Sequence, residues 1–160
     1  MYATGIMSKS DRSQADKTRD LFELFNEIGI VNQLSSTRFD RVLPDGLTRS
    51  QFGVLNNFVR LGGTRTPLQL ARAFQVTKGA MTNTLKRLEA RGCITMSVDP
   101  ADKRGKLIEI TKSGRALRER AVKSASAELA EIGALFDDDL VDDMLPQLRK
   151  IRELLDVARN

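Results

Sequence analysis

Residues 66–92 read TPLQLARAFQVTKGAMTNTLKRLEARG, and the rest of the chain is organised around them. Thr66-Pro67 has the form of a helix N-cap followed by proline at the first helical position, where the missing N–H has no helical partner to lose. Leu68, Leu70, Ala71 and Phe74 give that helix its apolar residues. Gln75-Val76-Thr77 interrupts the pattern only briefly. A second helix then opens on Thr77, carries Met81, Leu85 and Leu88 on one side and stops at Gly92. Two helices this close in sequence predict a helix-turn-helix.

Towards the C-terminus the apolar period changes from helical to two. Ile94, Met96 and Val98 alternate with Thr95 and Ser97, and Leu107, Ile108, Glu109 and Ile110 supply a second extended stretch, which together predict a β-hairpin. Its loop, residues 99–106, is too long for a tight turn and carries Lys103, Arg104 and Lys106, so it is expected to project as a basic wing. Thr111 caps a following helix with Leu117, Ala121, Leu129 and Ile132. A last helix follows Asp137-Asp138-Asp139, whose charges suit the positive end of its macrodipole, and Pro146 is expected to kink it or divide it in two.

Towards the N-terminus, Thr48 and Gln51 form a capping-box pattern ahead of Phe52, Leu55, Phe58 and Val59, and Gly62-Gly63 ends that helix. Leu21, Phe25, Ile28, Val31, Ser35, Phe39 and Val42 recur at spacings of three and four, one face of a long helix that stops before Pro44-Asp45-Gly46. The terminal helices are long for so small a core, so their apolar stripes are expected to meet a second copy. The expected fold is mainly α with a small β-hairpin wing, a winged helix-turn-helix core flanked by N- and C-terminal dimerisation helices. The expected division is a tail at 1–14, an N-terminal dimerisation helix at 15–46, a winged helix-turn-helix domain at 47–112 and C-terminal dimerisation helices at 113–160.

Composition narrows the function. The chain has 160 residues, 41% apolar and 29% charged, which suits one compact domain with an extension and leaves no room for a two-domain enzyme. It has no histidine, which removes the commonest general base and metal ligand. With Cys93 as the one cysteine, neither an internal disulfide nor a cysteine-histidine zinc site can form within one chain. No nucleophile elbow, phosphate-cradling glycine loop or paired carboxylate site is found, so neither catalytic residues nor a cofactor are expected. The longest charge-free stretches, 28–37 and 50–59, are too short to span a bilayer, and the polar start lacks the apolar run of a signal peptide, so the expected location is the cytoplasm.

The net charge of +5 is unevenly spread: residues 1–59 sum to 0, residues 60–123 to +10 and residues 124–160 to −5. The positive excess therefore coincides with the helix-turn-helix and its wing, as a polyanion-binding surface requires. On the second helix Thr77, Gly79 and Ala80 are small where backbone would approach phosphate. Thr82 and Asn83 carry groups suited to base edges, Asn83 to adenine and the Thr82 methyl to thymine. Lys86 and Arg87 suit phosphates or guanine, and Lys78 projects as a further DNA-binding candidate. Double-stranded DNA is the expected partner.

Residues 47–115 resemble the winged helix-turn-helix core of the MarR family of bacterial transcription regulators. The likeness rests on residues 47–52, on 66–71, on a recognition helix ending Leu88-Glu89-Ala90-Arg91-Gly92, on Asp102-Lys103-Arg104 in the wing, and on Ile110-Thr111-Lys112-Ser113-Gly114. The resemblance implies a homodimer, a ligand-responsive repressor on a pseudo-palindromic operator, with Arg104 entering a minor groove and Asp102 supporting the wing. It also implies a small aromatic or anionic effector, for which Phe39, Phe52 and Phe58 are candidate lining and Arg41, Arg49 or Arg60 candidate counter-charges. The oxidant-sensing thiol of some relatives lies in the first helix, where this chain has none, so Cys93 is expected to be a small packed residue. The alternative reading is a protein-docking winged-helix module whose basic patch meets an acidic protein.

Overall fold

Serine and threonine caps fix where most of the helices begin in the computed structural model, which describes residues 13–100, 102 and 105–158. The chain divides into two compact units, one up to Arg41 and one from Val42. The first is one long helix, α1 (Gln14–Val42), whose end crosses the boundary by a residue. The Ser13 hydroxyl accepts from the Asp16 amide at 3.1 Å and so closes its first turn. Phe22, Val31 and Leu34 stand exposed on it.

The second unit runs through a 3-10 turn (Pro44–Gly46), α2 (Arg49–Leu61), α3 (Pro67–Ala73), α4 (Lys78–Ala90), β1 (Ile94–Val98), β2 (Lys106–Ile110), α5 (Lys112–Gly133) and α6 (Asp138–Ala158). Both α2 and α3 open with full capping boxes: Thr48 with Gln51, and Thr66 with Gln69, each threonine hydroxyl accepting from the glutamine amide while the glutamine side chain accepts in return. Thr77 caps α4 by accepting from the Ala80 amide at 3.2 Å. At the other end of α4, Gly92 turns left-handed (φ 64°), its N–H donates to the Glu89 carbonyl, and the Cys93 N–H donates to the Leu88 carbonyl. This pair of bonds is a Schellman stop, and it needs a residue tolerant of positive φ at 92.

The core sits where α2, α3, α4, the hairpin and α5 meet. Val54, Leu55 and Phe58 from α2, Leu70 from α3, Leu85 and Leu88 from α4, Ile94 and Ile108 from the hairpin and Leu117 from α5 are all buried. Each side chain so removed from water stabilises the fold by roughly 1.5–3 kcal/mol before chain entropy is counted. The hairpin is antiparallel, pairing Ile94 with Ile110, Met96 with Ile108 and Val98 with Lys106. Its period-two pattern puts Ile94, Ile108 and Ile110 inwards and leaves Thr95, Ser97 and Glu109 exposed.

Four details depart from or add to the sequence reading. Lys106 belongs to β2 rather than to the loop. Arg65 pairs with Ile108 through two backbone hydrogen bonds, of 3.2 and 2.8 Å, giving the hairpin a third, one-residue strand. The last helix is one continuous element with Pro146 inside it, not two pieces; the Asp142 carbonyl, which loses its helical donor, belongs to an exposed residue that water can reach. Finally, the Ile-Thr-x-x-Gly stretch proves to be a joint. Thr111 Oγ1 donates to the Gly92 carbonyl at 2.7 Å and accepts from the Gly114 amide at 3.1 Å. A Cβ on Gly114 would collide with the carbonyl oxygen of Cys93. Only glycine lets α5 start this close to the segment leaving α4.

Candidate nucleic-acid interface

One face of α4 is fixed in the core by Met81, Leu85 and Leu88. The 3.6-residue period then turns Lys78, Gly79, Asn83, Lys86 and Arg87 to solvent. Lys78, Lys86 and Arg87 have no ion-pair partner among the described residues, nor does Lys106 at the foot of the wing. Asn83 likewise has no side-chain hydrogen bond among them, so both its amide N–H groups and its carbonyl are uncommitted. Thr82 differs: its hydroxyl donates to the Lys78 carbonyl at 2.7 Å, which spends its proton inside the helix and leaves a lone pair and the methyl group outward-capable. Around a Cβ placed on Gly79 there is only open space. Glycine at this site costs the helix about 1 kcal/mol relative to alanine, and no neighbour among the described residues requires it.

A groove of about 480 Å³ runs between α4 and the wing, lined on one side by Lys78, Thr82 and Lys86 and on the other by Met96, Asp99 and Lys106. Thr66, Pro67 and Leu68 at the start of α3 also line it. A shallower hollow of about 390 Å³ follows the outer face through Lys78, Gly79, Thr82, Asn83 and Lys86. The loop of the wing is closed by the Asp99 N–H on the Gly105 carbonyl (3.1 Å) and the Gly105 N–H on the Asp102 carbonyl (2.7 Å), so Asp102 helps to shape the loop through its backbone. Lys103 and Arg104 lie outside the described residues. Thr77 and Ala80 sit exposed at the opening turn of α4.

The remaining candidates fall elsewhere. Phe58 is completely buried and Phe52 packs partly buried against the same cluster; Phe39 belongs to α1, in the other unit. Arg41, Arg49 and Arg60 are exposed. Cys93 is buried, and its Sγ lies 3.7 Å from the Arg91 carbonyl. Burial pushes its thiol above the usual range and outweighs the opposing pull of Arg91 and Arg120, so it stays protonated at neutral pH, as suits a packed residue. Among the described residues no cluster of His, Cys, Asp or Glu could hold a metal ion, and no helix is long and apolar enough to cross a membrane.

Sequence reading overlooked the part of the groove contributed by Thr66, Pro67, Leu68 and Met96. The Thr66-Pro67 cap was the available signal, because the start of one helix in a helix-turn-helix lies beside its partner.

This arrangement has known counterparts. The MarR family model matches residues 45–105. The multiple antibiotic resistance protein MarR of Salmonella typhimurium is 33% identical over 117 residues, spanning 70% of this chain and 81% of the relative. Among solved structures, a cysteine-to-serine mutant of Escherichia coli MarR complexed with operator DNA superposes with a TM-score of 0.68 at 29% identity, covering 82% of this chain and 95% of that one. Bordetella bronchiseptica BpsR, whose DNA binding is regulated by 6-hydroxynicotinic acid, superposes with a TM-score of 0.69 at 26% identity, covering 81% and 98%. The hairpin is therefore the wing of a winged-helix fold, and the chain belongs to the MarR family of winged-helix transcription regulators.

Proposed function

We propose that this regulator acts as a homodimer that sets α4 of each copy into the major groove of a pseudo-palindromic operator and represses until a small molecule releases it. The observation that carries the reading is the outward face of α4. Three cations and an Asn83 without partners among the described residues lie together there, with a glycine that no internal neighbour requires. In this reading Thr77, Gly79 and Ala80 let backbone approach a phosphate, Thr82 and Asn83 meet base edges, and Lys78, Lys86, Arg87 and Lys106 neutralise phosphates. Lys103 and Arg104 reach the minor groove, whose negative potential attracts arginine, and Asp102 supports them. Residues 47–112 form the DNA-binding domain. Residues 15–46 and 113–160 pair two copies through apolar residues such as Phe22 and Val31 on α1 and Leu140, Met144 and Leu148 on α6, all exposed in the single chain.

The effector is a small aromatic or anionic compound, by analogy with the regulation of BpsR. Such a protein works in the cytoplasm, where the DNA is, and carries out no catalysis. The family relationship favours this reading over a docking module for an acidic protein. The test is selection of bound sequences from a random duplex library. A palindromic consensus with half-sites about one helical turn apart is expected; enrichment of nothing, or of an unpaired single site, would overturn it.

A further inference from the structure

The turn ahead of α2 contains a polar knot that neither the core nor the DNA-facing surface accounts for. Asp45 sits at φ 55°, ψ 30°, the left-handed region that a side chain normally avoids. Its backbone carbonyl accepts from Arg91 Nη2 at 2.9 Å, and its carboxylate accepts from Arg120 Nη2 at 2.7 Å. Arg91 is the C-cap residue of α4 and Arg120 lies on α5, so one residue ties the end of the recognition helix to the helix behind it across 46 and 75 positions of sequence. Beside the knot is an open surface hollow of about 320 Å³ lined by Asp45, Arg91, Cys93, Ser113, Leu117 and Arg120. The two hydrogen bonds therefore run along a solvent-facing edge, where polar contacts and not buried apolar ones join the turn, α4 and α5.

We propose that Asp45 is a positioning residue for DNA recognition, holding the C-terminal end of α4 at the tilt that presents Lys86 and Arg87. The inference rests on α4 being the recognition helix. The left-handed backbone is what aims the carbonyl at Arg91 and the carboxylate at Arg120 together. The ion pair is solvent-exposed, with side chains 56% and 57% accessible, so it adds little to global stability. A small angular error at the end of a helix nonetheless moves two phosphate-facing cations at once.

The test uses the full chain with Asp45→Gly, Arg120→Gln and the double variant. Glycine accepts the left-handed turn and keeps the carbonyl for Arg91, so only the carboxylate is lost. Each single variant should weaken binding to the library-selected and the random duplex alike by up to about fivefold, because the cations it misplaces meet phosphates, the double variant no further, with melting temperature unchanged. Amide hydrogen exchange through residues 88–92 should quicken in all three variants, with or without DNA. Multiplied losses in the double variant, a loss confined to the selected duplex, tighter binding by Asp45→Gly, or unchanged affinity for both duplexes would each overturn the proposal. A parent chain that holds every duplex equally would remove the DNA reading itself, and the proposal with it. The exchange measurement tells the failures apart, because a working knot protects these amides in the absence of DNA.

Discussion

Lys86 and Arg118 are both long cations on helices of the same unit, and their surroundings are opposite. Lys86 and its neighbours Lys78 and Arg87 extend from α4 with no ion-pair partner among the described residues. Arg118, on α5, directs Nε and Nη2 onto Asn56 Oδ1 of α2 at 3.1 and 2.9 Å and Nη1 onto Glu119 at 2.8 Å; Arg120 is held by Asp45. Net charge does not separate these two groups, because both lie in the basic middle of the sequence. Partners do: charge satisfied within the chain belongs to the fold, and charge left over on one surface is available to something outside it.

The sharpest way to break this contrast is to remove three cations from α4 together. The Lys78→Ala, Lys86→Ala, Arg87→Ala variant should lose affinity for selected and random duplex alike, with the slope of log affinity against log salt shallower by about 0.9 for each phosphate no longer neutralised. A slope equal to that of the parent chain would place the DNA-neutralising charge elsewhere. Arg118→Ala should do the reverse, leaving the salt slope intact and lowering unfolding free energy in urea by about 1.5–3 kcal/mol, since it deletes charged hydrogen bonds at a part-buried site. Asn83→Ala should cost about 1–3 kcal/mol on the selected operator and almost nothing on random sequence, measured by competition binding; equal losses would remove Asn83 from base reading. The smallest effect is expected from Thr82→Val, which keeps the methyl and deletes a hydroxyl proton already spent on the Lys78 carbonyl, so operator binding should change by no more than about 0.5 kcal/mol. A tenfold loss there would mean that the hydroxyl turns to donate to DNA.

Local chemistry was readable without coordinates. Thr48 with Gln51, Thr66-Pro67, Thr77 and Gly92 each carry a capping rule that acts over a few residues, and the helices begin and end where those rules put them. The alternation of Ile94, Met96 and Val98 likewise became β1. What escaped were features whose cause lies far away in sequence or spans a single residue. Arg65 joins the sheet through one residue after a Gly-Gly break, too short to show a period. Asp45 looks like an ordinary turn residue until Arg91 and Arg120 come back to it. On the candidate interface, the outward residues of α4 followed from helical period once the inward face was known, whereas the contribution of Thr66, Pro67 and Leu68 required the packing of α3 beside α4.

The seat of Gly114 on the Cys93 carbonyl has a mechanical consequence. With no side chain between them and Thr111 bonded across to Gly92, there is no compressible layer at the root of α5. If α5 swings, the root of the hairpin and the exit of α4 must swing with it. The root of this 22-residue helix is thus joined to the exit of α4 by direct backbone contact, with no side-chain cushion to absorb a change of angle between them.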